Sequence, residues 1–237
     1  TYELTLERIQ PLLKESRLLV STNKQFVEHA KKQTEKQVAG DQPLFIIEPA
    51  RKDTAAAVGL ETVYAYKQDK NAVIASLGSD HVIQNDSAFV DILRVAEAFV
   101  LKNPDHLLEI GIKPTYAETG YGYIEMGESL ERINEREIFA VKQFKEKPQK
   151  DVAEQFVRAG TFLWNANMFV WKAETILNLF EKFQPAMHKK LMAIYEAIGT
   201  STEQETLEKE YEDIEKIAID YAIIEKAPHM AVISADI

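Results

Sequence analysis

The fold is decided by the stretch Ala72-Val73-Ile74-Ala75-Ser76-Leu77-Gly78-Ser79-Asp80-His81, a short apolar run that ends at a glycine. This pattern predicts the most buried strand of a sheet, followed by a loop at the sheet's carboxyl edge. In an open α/β sheet the ligand crevice lies at that edge, so we expect Asp80 to meet a ligand or a metal ion. The alternative, that Asp80 caps the next helix, is weaker because three polar residues lie closer to that helix: Asn85, Asp86 and Ser87.

Length and composition favour one soluble domain over residues 1–237. The chain has 237 residues, of which 46% are hydrophobic, no cysteine and a formal net charge of -10. The charge disfavours nonspecific binding to nucleic acid or to an anionic membrane. No apolar run approaches the roughly 20 residues that span a bilayer. We therefore expect a cytoplasmic protein without nucleic-acid or membrane partners, and the absence of cysteine fits a reducing compartment. A homodimer is compatible with the sequence.

Strand and helix patterns alternate through the first half of the chain, which predicts an α/β fold with a parallel-sheet rhythm. Besides the central strand, apolar runs predict strands over residues 17–22, 44–48, 107–112, 138–144, 162–171 and 230–234. Helical spacing predicts helices over residues 2–13, 26–37, 53–68, 89–100, 152–159, 176–183, 187–198 and 211–217. Pro11 is expected to end or bend the first of these helices. Residues 200–206 are predicted to be a polar linker.

Two segments after residue 112 are rich in polar and glycine residues that suit a ligand. Gly120 and Gly122 allow close backbone approach, and the tyrosines between and after them offer faces and hydroxyls. A plain β-turn explains the same spacing equally well. Lys145-Glu146-Lys147-Pro148 ends a predicted strand, where the charges serve either as an exposed surface or as a phosphate or sugar site.

Two asparagines interrupt the aromatic strand over residues 162–171. Buried amides without partners are costly, so Asn165 and Asn167 need hydrogen bonds. A ligand hydroxyl would satisfy them, and so would neighbouring backbone groups in a bulge. The sequence leaves both interpretations open.

Six segments, in order along the chain, carry a resemblance to a known family. They are Glu48-Pro49-Ala50-Arg51-Lys52-Asp53-Thr54-Ala55-Ala56-Ala57, Ser79-Asp80-His81-Val82-Ile83, Gly111 to Thr115 with Glu118 to Ile124, Phe144 to Pro148, Leu163 to Phe169, and Ile219 to Lys226. With these segments the sequence resembles the bacterial mannose-1-phosphate guanylyltransferases (GDP-mannose pyrophosphorylases) of the sugar-1-phosphate nucleotidyltransferase superfamily. Each segment is weak alone, and the ordered set is strong.

The resemblance implies a three-layer α/β/α, Rossmann-like nucleotide-diphospho-sugar transferase fold with a mostly parallel mixed sheet. It implies transfer of GMP from GTP to mannose 1-phosphate, which gives GDP-mannose and pyrophosphate, with Mg²⁺ as the cofactor. The alternatives are a sister nucleotidyltransferase with another sugar or base and a noncatalytic nucleotide-sugar-binding regulatory subunit.

The resemblance also implies a role for individual residues. Asp80 would hold Mg²⁺ and, with Lys147, would be catalytic. The nucleotide would be bound by Lys52, Thr54, Ala55, Gly78, Ser79 and Asp80. The sugar and its phosphate would be bound by Gly120, Tyr121, Gly122, Glu146, Lys147 and Asn165.

Two parts of the family pattern are absent from the 237 residues. One is the glycine-rich loop with an arginine that follows the family's first strand, and the other is a tryptophan-aspartate-x-glycine segment with the second metal ligand. We therefore expect a domain that is incomplete at both ends, lacks the first strand and the glycine-rich loop, and is inactive on its own. Asp236 precedes the position of the second ligand and is left out of the metal set.

Overall fold

The fold is described from a computed structural model, which describes residues 2–13, 17–38 and 43–236. In this part of the chain the strands are β1 (Leu19–Asn23), β2 (Leu44–Glu48), β3 (Val73–Ser76), β4 (Leu107–Ile112), β5 (Tyr123–Ile133), β6 (Arg136–Lys145), β7 (Phe162–Lys172) and β8 (Met230–Ala235). The helices are α1 (Tyr2–Ile9), α2 (Val27–Gln37), α3 (Thr54–Gln68), α4 (Asp86–Lys102), α5 (Lys150–Ala159), α6 (Ala173–Phe183), α7 (Pro185–Ala197), α8 (Glu203–Glu212) and α9 (Ile219–Ala222), with a 3₁₀ turn at Ile224–Lys226. None of these helices has the length and apolar character needed to cross a membrane.

The chain divides into two compact units. Unit 1 consists of residues 1–72, 79–82 and 173–227, and unit 2 of residues 73–78, 83–172 and 228–237. The single nucleotidyltransferase domain over residues 1–237 stays a prediction.

Unit 1 is built around helix α3. Strands β1 and β2 pair in parallel, and α3 packs against β1, α6, α7 and α9. Gly59 brings α3 close to α7, because a Cβ atom added there would lie 2.5 Å from Cδ1 of Leu191. The helix begins as predicted, since the Asp53 carboxylate accepts a hydrogen bond from the Thr54 N–H at 2.9 Å.

Unit 2 contains a six-stranded mixed sheet, so the predicted α/β class with a mixed sheet is confirmed. The strand order is β3-β7-β4-β8-β6-β5, and β5 also pairs with β7. Strands β4 and β8 run parallel, whereas the other pairings described for this sheet are antiparallel. One physical reason is the two-residue turn between β5 and β6, where Asn134 and Glu135 have φ angles of 45° and 64°. So tight a turn joins only antiparallel neighbours. Within unit 2, fewer strand pairs are therefore parallel than the alternation of strands and helices in the sequence predicts.

The helical face predicted between residues 89 and 100 is buried in α4. Asn85 caps this helix, because its Oδ1 accepts from the Ala88 N–H at 3.0 Å.

Strand β4 is almost entirely buried, whereas β3 is only partly buried and lies at one end of the strand order. The expectation that Asp80 follows the most buried strand is therefore wrong, because β3 has a single partner strand in the described part of the sheet.

The prediction of a linker over residues 200–206 and a helix over 211–217 is wrong. Helix α8 begins at Glu203 and ends at Glu212. Leu207 and Tyr211, four residues apart, are its buried positions, and they place its apolar face earlier than expected. The Glu203 carboxylate also accepts from the Gly199 N–H at 2.8 Å, which holds the start of the helix.

Candidate functional site

Three of the residues predicted to bind a sugar lie side by side in unit 2. Tyr123, the first residue of β5, pairs with the end of β6 on one side and with β7 on the other. One residue earlier, Gly122 lies beside Glu146 and Asn165. The Asn165 N–H donates to the Gly122 carbonyl at 2.8 Å. We call Glu146, Gly122 and Asn165 the cross-strand row.

The neighbours of Gly122 leave no room for a side chain. A Cβ atom added to Gly122 would lie 2.5 Å from Oε2 of Glu146 and 2.9 Å from Cζ of Phe144. Both distances are shorter than van der Waals contact, so any larger residue must displace its neighbours. Gly120 is under less constraint, because a Cβ atom there would lie 3.2 Å from the Glu118 carboxylate.

Glu146 and Lys147 form an ion pair at the end of β6. The distance from Nζ of Lys147 to Oε1 of Glu146 is 2.9 Å, and the side chains are 61% and 15% exposed, respectively. The carboxylate is thus enclosed in the cross-strand row while the ammonium reaches solvent, where it can meet an anion. Lys147 has a φ angle of 43°, a left-handed conformation that is unfavourable for lysine. A hydrogen bond from its N–H to the Tyr121 carbonyl, at 3.2 Å, helps to hold it there.

Asn165 and Asn167 form an irregularity in β7. The Asn165 Oδ1 accepts from the Asn167 N–H at 2.7 Å, and Asn167 has a φ angle of 50°. The register between β4 and β7 shifts at this point, between Glu109 and Gly111 of β4. The bulge interpretation of the two asparagines is therefore confirmed for the Asn165 oxygen. The side chain stays buried next to Gly122.

The Tyr121 ring lies on the face of the sheet opposite the cross-strand row. Its centroid is 5.5 Å from that of Trp164, and Trp164 packs in a buried cluster with Tyr123. Successive strand residues point to opposite faces, so Tyr123 and Trp164 share one face while Gly122 and Asn165 share the other. The sequence grouped Tyr121 with Gly120 and Gly122, and the structure does not bring its ring to their side. Its backbone carbonyl is the part of Tyr121 that contacts the site.

The residues Lys52, Thr54 and Ala55, predicted to bind nucleotide, lie in unit 1. They belong to the turn between β2 and α3, which we call the nucleotide turn, residues 48–55. Thr54 is exposed and Lys52 partly so, whereas Ala55 is fully buried. The Ala55 N–H donates to the Ile217 carbonyl at 3.2 Å, so that group does not face a ligand. Asp53 has a φ angle of 71°, which makes this turn locally strained.

Asp80 lies in an irregular segment after β3. Asp80 and Ser79 are exposed and belong to unit 1, while Gly78 belongs to unit 2. Among residues 2–13, 17–38 and 43–236, no group of three or more histidines, aspartates or glutamates could hold a metal ion. A lone exposed carboxylate fits Mg²⁺, which takes one or two carboxylates together with substrate phosphates. It does not fit a closed structural metal site.

A partly buried polar cluster next to the nucleotide turn was missed by the sequence analysis. The Tyr211 hydroxyl donates to Oε2 of Glu48 at 2.6 Å, and the Ser21 hydroxyl donates to Oε1 at 3.4 Å. Glu61 of α3 lies close enough to Glu48 for the two carboxylates to repel. Glu48 begins one of the quoted segments, but Tyr211 comes 163 residues later, and no spacing in the sequence connects them.

This cluster predicts a pH dependence of stability. Burial, followed by the Glu48 carboxylate, raises the pKa of Glu61 from 4.5 to about 7, although the Ser21 hydroxyl lowers it. A carboxyl whose folded pKa is raised stabilises the fold fully below its unfolded pKa, and that contribution is lost as pH rises through about 7. The free energy of unfolding should thus fall by up to about 3 kcal/mol from Glu61 alone between pH 4.5 and pH 8.

Glu61→Gln should remove most of this fall. Urea unfolding followed by circular dichroism at several pH values measures it. Glu205→Gln, at an exposed position of α8, is the control and should keep the wild-type dependence. An unchanged pH profile in Glu61→Gln would contradict the assignment.

Comparison with known proteins gives one family match and a set of relatives. Residues 3–217 match the family model described as Nucleotidyl transferase. A mannose-1-phosphate guanylyltransferase of Salmonella typhimurium is 34% identical over 191 residues, which is 79% of this chain and 39% of that relative. The chain spans about two fifths of the length of the curated relatives it matches.

Two solved structures share the fold. A crystal structure described as a mannose-1-phosphate geranyltransferase from Thermus thermophilus has a TM-score of 0.78 at 30% identity, covering 98% of this chain and 63% of that one. A crystal structure of mannose-6-phosphate isomerase from Helicobacter pylori has a TM-score of 0.82 over 99% of this chain and 88% of that one. Because its identity is 24%, the second structure supports the fold alone.

Proposed function

This chain belongs to the nucleotidyl transferase family, and on that premise we propose that its protein transfers GMP from GTP to mannose 1-phosphate. The products are GDP-mannose and pyrophosphate. The observation that carries the proposal is the cross-strand row with Lys147 beside it, which combines a carboxylate, an amide and an exposed ammonium. The mannose-1-phosphate guanylyltransferases among the relatives support the choice of sugar and base.

The reaction joins a phosphate oxygen of mannose 1-phosphate to the α-phosphorus of GTP. The bond from that phosphorus to the bridging oxygen breaks, and pyrophosphate leaves with the bond's electron pair. No covalent enzyme intermediate is required, so catalysis rests on positioning and on neutralising crowded negative charge. Lys147 would hold the sugar phosphate, Glu146 would accept hydrogen bonds from sugar hydroxyls, and Asn165 would complete the set. Gly120, Gly122 and the Tyr121 backbone would line the same surface.

The nucleotide is assigned to unit 1. Lys52 and Thr54 carry accessible polar groups on the nucleotide turn, and Ala55 would contribute through packing. Ser79, which also belongs to unit 1, would approach the nucleotide through its backbone, because its side chain is small. Gly78 belongs to unit 2, and its role in nucleotide binding stays a prediction from the family resemblance. GTP binding by these residues is part of the proposal.

Asp80 would hold the magnesium ion. When bound, Mg²⁺ would neutralise phosphate charge and polarise the reacting phosphoryl group. A single exposed carboxylate suits an ion that arrives with the substrate. Action on a nucleoside triphosphate suits the cytoplasm, which we propose as the location, and a homodimer stays a prediction.

Glu146→Gln and Asn165→Ala test the sugar assignment. A hydrogen bond to a charged group contributes about 1.5–3 kcal/mol and a neutral one about 0.5–1.5 kcal/mol. Glu146→Gln should therefore weaken mannose 1-phosphate binding by roughly tenfold or more, and Asn165→Ala by roughly two- to tenfold. Isothermal titration of each variant measures these changes.

Glu125→Gln is the matched control for Glu146→Gln. Glu125 pairs with Lys142 at 2.8 Å, and its side chain is also 15% exposed. The two glutamates therefore share an ion pair with a lysine and the same exposure, and they differ in their position in the sheet. The control should bind mannose 1-phosphate as the wild type does. If the wild type, Glu146→Gln and Glu125→Gln bind mannose 1-phosphate with equal affinity, Glu146 has a purely structural role.

A further inference from the structure

The segment of residues 211–219, which we call the brace, contacts the nucleotide turn at four places within unit 1. At its start, the Tyr211 hydroxyl donates to Oε2 of Glu48 at 2.6 Å. At the next residue, the Glu212 carbonyl accepts from Nζ of Lys52. The start and the middle of the turn are thus both hydrogen-bonded to the end of α8.

The second half of the brace contacts the end of the turn. The Ala55 N–H donates to the Ile217 carbonyl at 3.2 Å, and the Ile219 N–H donates to Oγ1 of Thr54 at 2.8 Å. The Thr54 hydroxyl still has its own proton to donate to a ligand. The brace therefore fixes the position of this hydroxyl without consuming its donor.

The turn has little of its own to fix its shape. Residues 49–53 are neither helix nor strand, and Asp53 is held in the left-handed region at a φ angle of 71°. Such a conformation persists when surrounding contacts determine it. The four hydrogen bonds from the brace are surrounding contacts of this kind.

The Tyr211 contact is the one best suited to hold the turn at β2. Tyr211 is fully buried, and burial together with the neighbouring Glu48 raises the pKa of its hydroxyl well above the ordinary range. The hydroxyl thus keeps its proton, and remains a donor, at neutral pH. Its partner Glu48 lies beside a second carboxylate, Glu61, so Glu48 depends on a good donor to stay in place.

We propose that the brace sets the shape in which the nucleotide turn binds GTP, with Tyr211 as a positioning residue that acts through Glu48. The inference rests on the proposed function, because it assigns the turn to nucleotide binding. Pre-organisation of a binding loop by neighbouring contacts lowers the entropy lost on binding. Loss of the Tyr211 hydroxyl should therefore weaken nucleotide binding and leave sugar phosphate binding, assigned to unit 2, unchanged.

Tyr211→Phe tests the proposal, with Tyr64→Phe as the matched control. Tyr64 is also buried and donates to a glutamate of α8, Glu203, at 2.8 Å. It follows Thr54 by ten residues, about 15 Å along α3, so its loss should affect stability but not the turn. In the protein made from its complete coding sequence, titration with GTP and Mg²⁺ and titration with mannose 1-phosphate are compared for the three proteins.

We expect Tyr211→Phe to raise the dissociation constant of GTP about tenfold and to change that of mannose 1-phosphate less than about twofold, since one oriented hydrogen bond is removed. Tyr64→Phe should leave both within about twofold of wild type, the size of effect expected far from the turn. If GTP binding is unchanged in Tyr211→Phe, or is weakened equally in Tyr211→Phe and Tyr64→Phe, the proposed role of the brace is overturned but the proposed function is not. A wild-type protein that binds neither ligand would overturn the proposed function and the inference with it.

A second pair of variants covers the case in which Tyr211→Phe does not fold. Glu48→Gln keeps an oxygen that accepts from Tyr211, and Glu48→Ala removes it. The brace predicts near-normal GTP affinity in Glu48→Gln and a loss of about tenfold in Glu48→Ala, the cost of one hydrogen bond to the turn. Equal affinity in the two variants would contradict the proposal.

Discussion

Asp80→Asn should lower the turnover of GTP and mannose 1-phosphate about 100-fold or more, the loss typical of removing one electrostatic group from a transition state. The amide keeps the size of the side chain but lacks the negative charge that retains a divalent cation. Asp80 is exposed, so the change should leave the free energy of unfolding near that of the wild type. Initial rates at several Mg²⁺ concentrations, measured with the protein from its complete coding sequence, test the prediction.

Asp236→Asn is the control for this variant. Asp236 is also an exposed aspartate and follows β8, and we leave it outside the metal set. It should keep most of the wild-type turnover and the same dependence on Mg²⁺. Full magnesium-dependent activity in Asp80→Asn, with a loss in Asp236→Asn, would show that the assignment is reversed.

Local patterns predicted the regular elements where the apolar spacing is strong. Strands β2 and β4 begin and end at the predicted residues, and the predicted face of α4 is buried. The region after residue 198 was predicted less well, because charged residues dominate α8 and only Leu207 and Tyr211 mark its buried side. The residues that follow α8 make hydrogen bonds to the start of α3 instead of continuing a helix. Such long-range partners leave no periodic signal.

At the candidate site, too, local motifs predicted individual residues, whereas contacts between distant parts of the chain could not be predicted. The motif order indicated Glu146, Gly122 and Asn165, but their placement side by side depends on the register of three strands. Register also explains why Tyr121 was grouped with Gly122, because the alternation of faces becomes visible only once the strand start is known. The Tyr211 contact to Glu48 could not be predicted at all, since it joins residues 163 positions apart without a motif.

Gly122→Ala should abolish most of the affinity for mannose 1-phosphate. The added methyl group would lie 2.5 Å from Oε2 of Glu146, 2.9 Å from Cζ of Phe144 and 3.2 Å from Cβ of Asn165. Glu146 can turn away, but it then leaves the place from which it would accept a hydrogen bond from the sugar. The loss of a charged hydrogen bond alone predicts roughly a 10- to 150-fold weaker affinity. Overpacking adds about 1–3 kcal/mol of destabilisation. Titration calorimetry and urea unfolding measure the two effects separately.

Gly120→Ala is the control, because it adds the same methyl group two residues away on the same loop. There the nearest atom would be Oε1 of Glu118 at 3.2 Å, the end of a flexible side chain that can move by a few tenths of an ångström. Gly120→Ala should therefore leave Glu146 in place and lower the affinity less than Gly122→Ala does, since a small relaxation costs under about 1 kcal/mol. If both variants bind mannose 1-phosphate equally well, the closeness of Glu146, Gly122 and Asn165 serves packing alone. If Gly122→Ala alone loses binding while remaining folded, the space above Gly122 is needed by the Glu146 carboxylate that binds the sugar. The cross-strand row then acts as the sugar site.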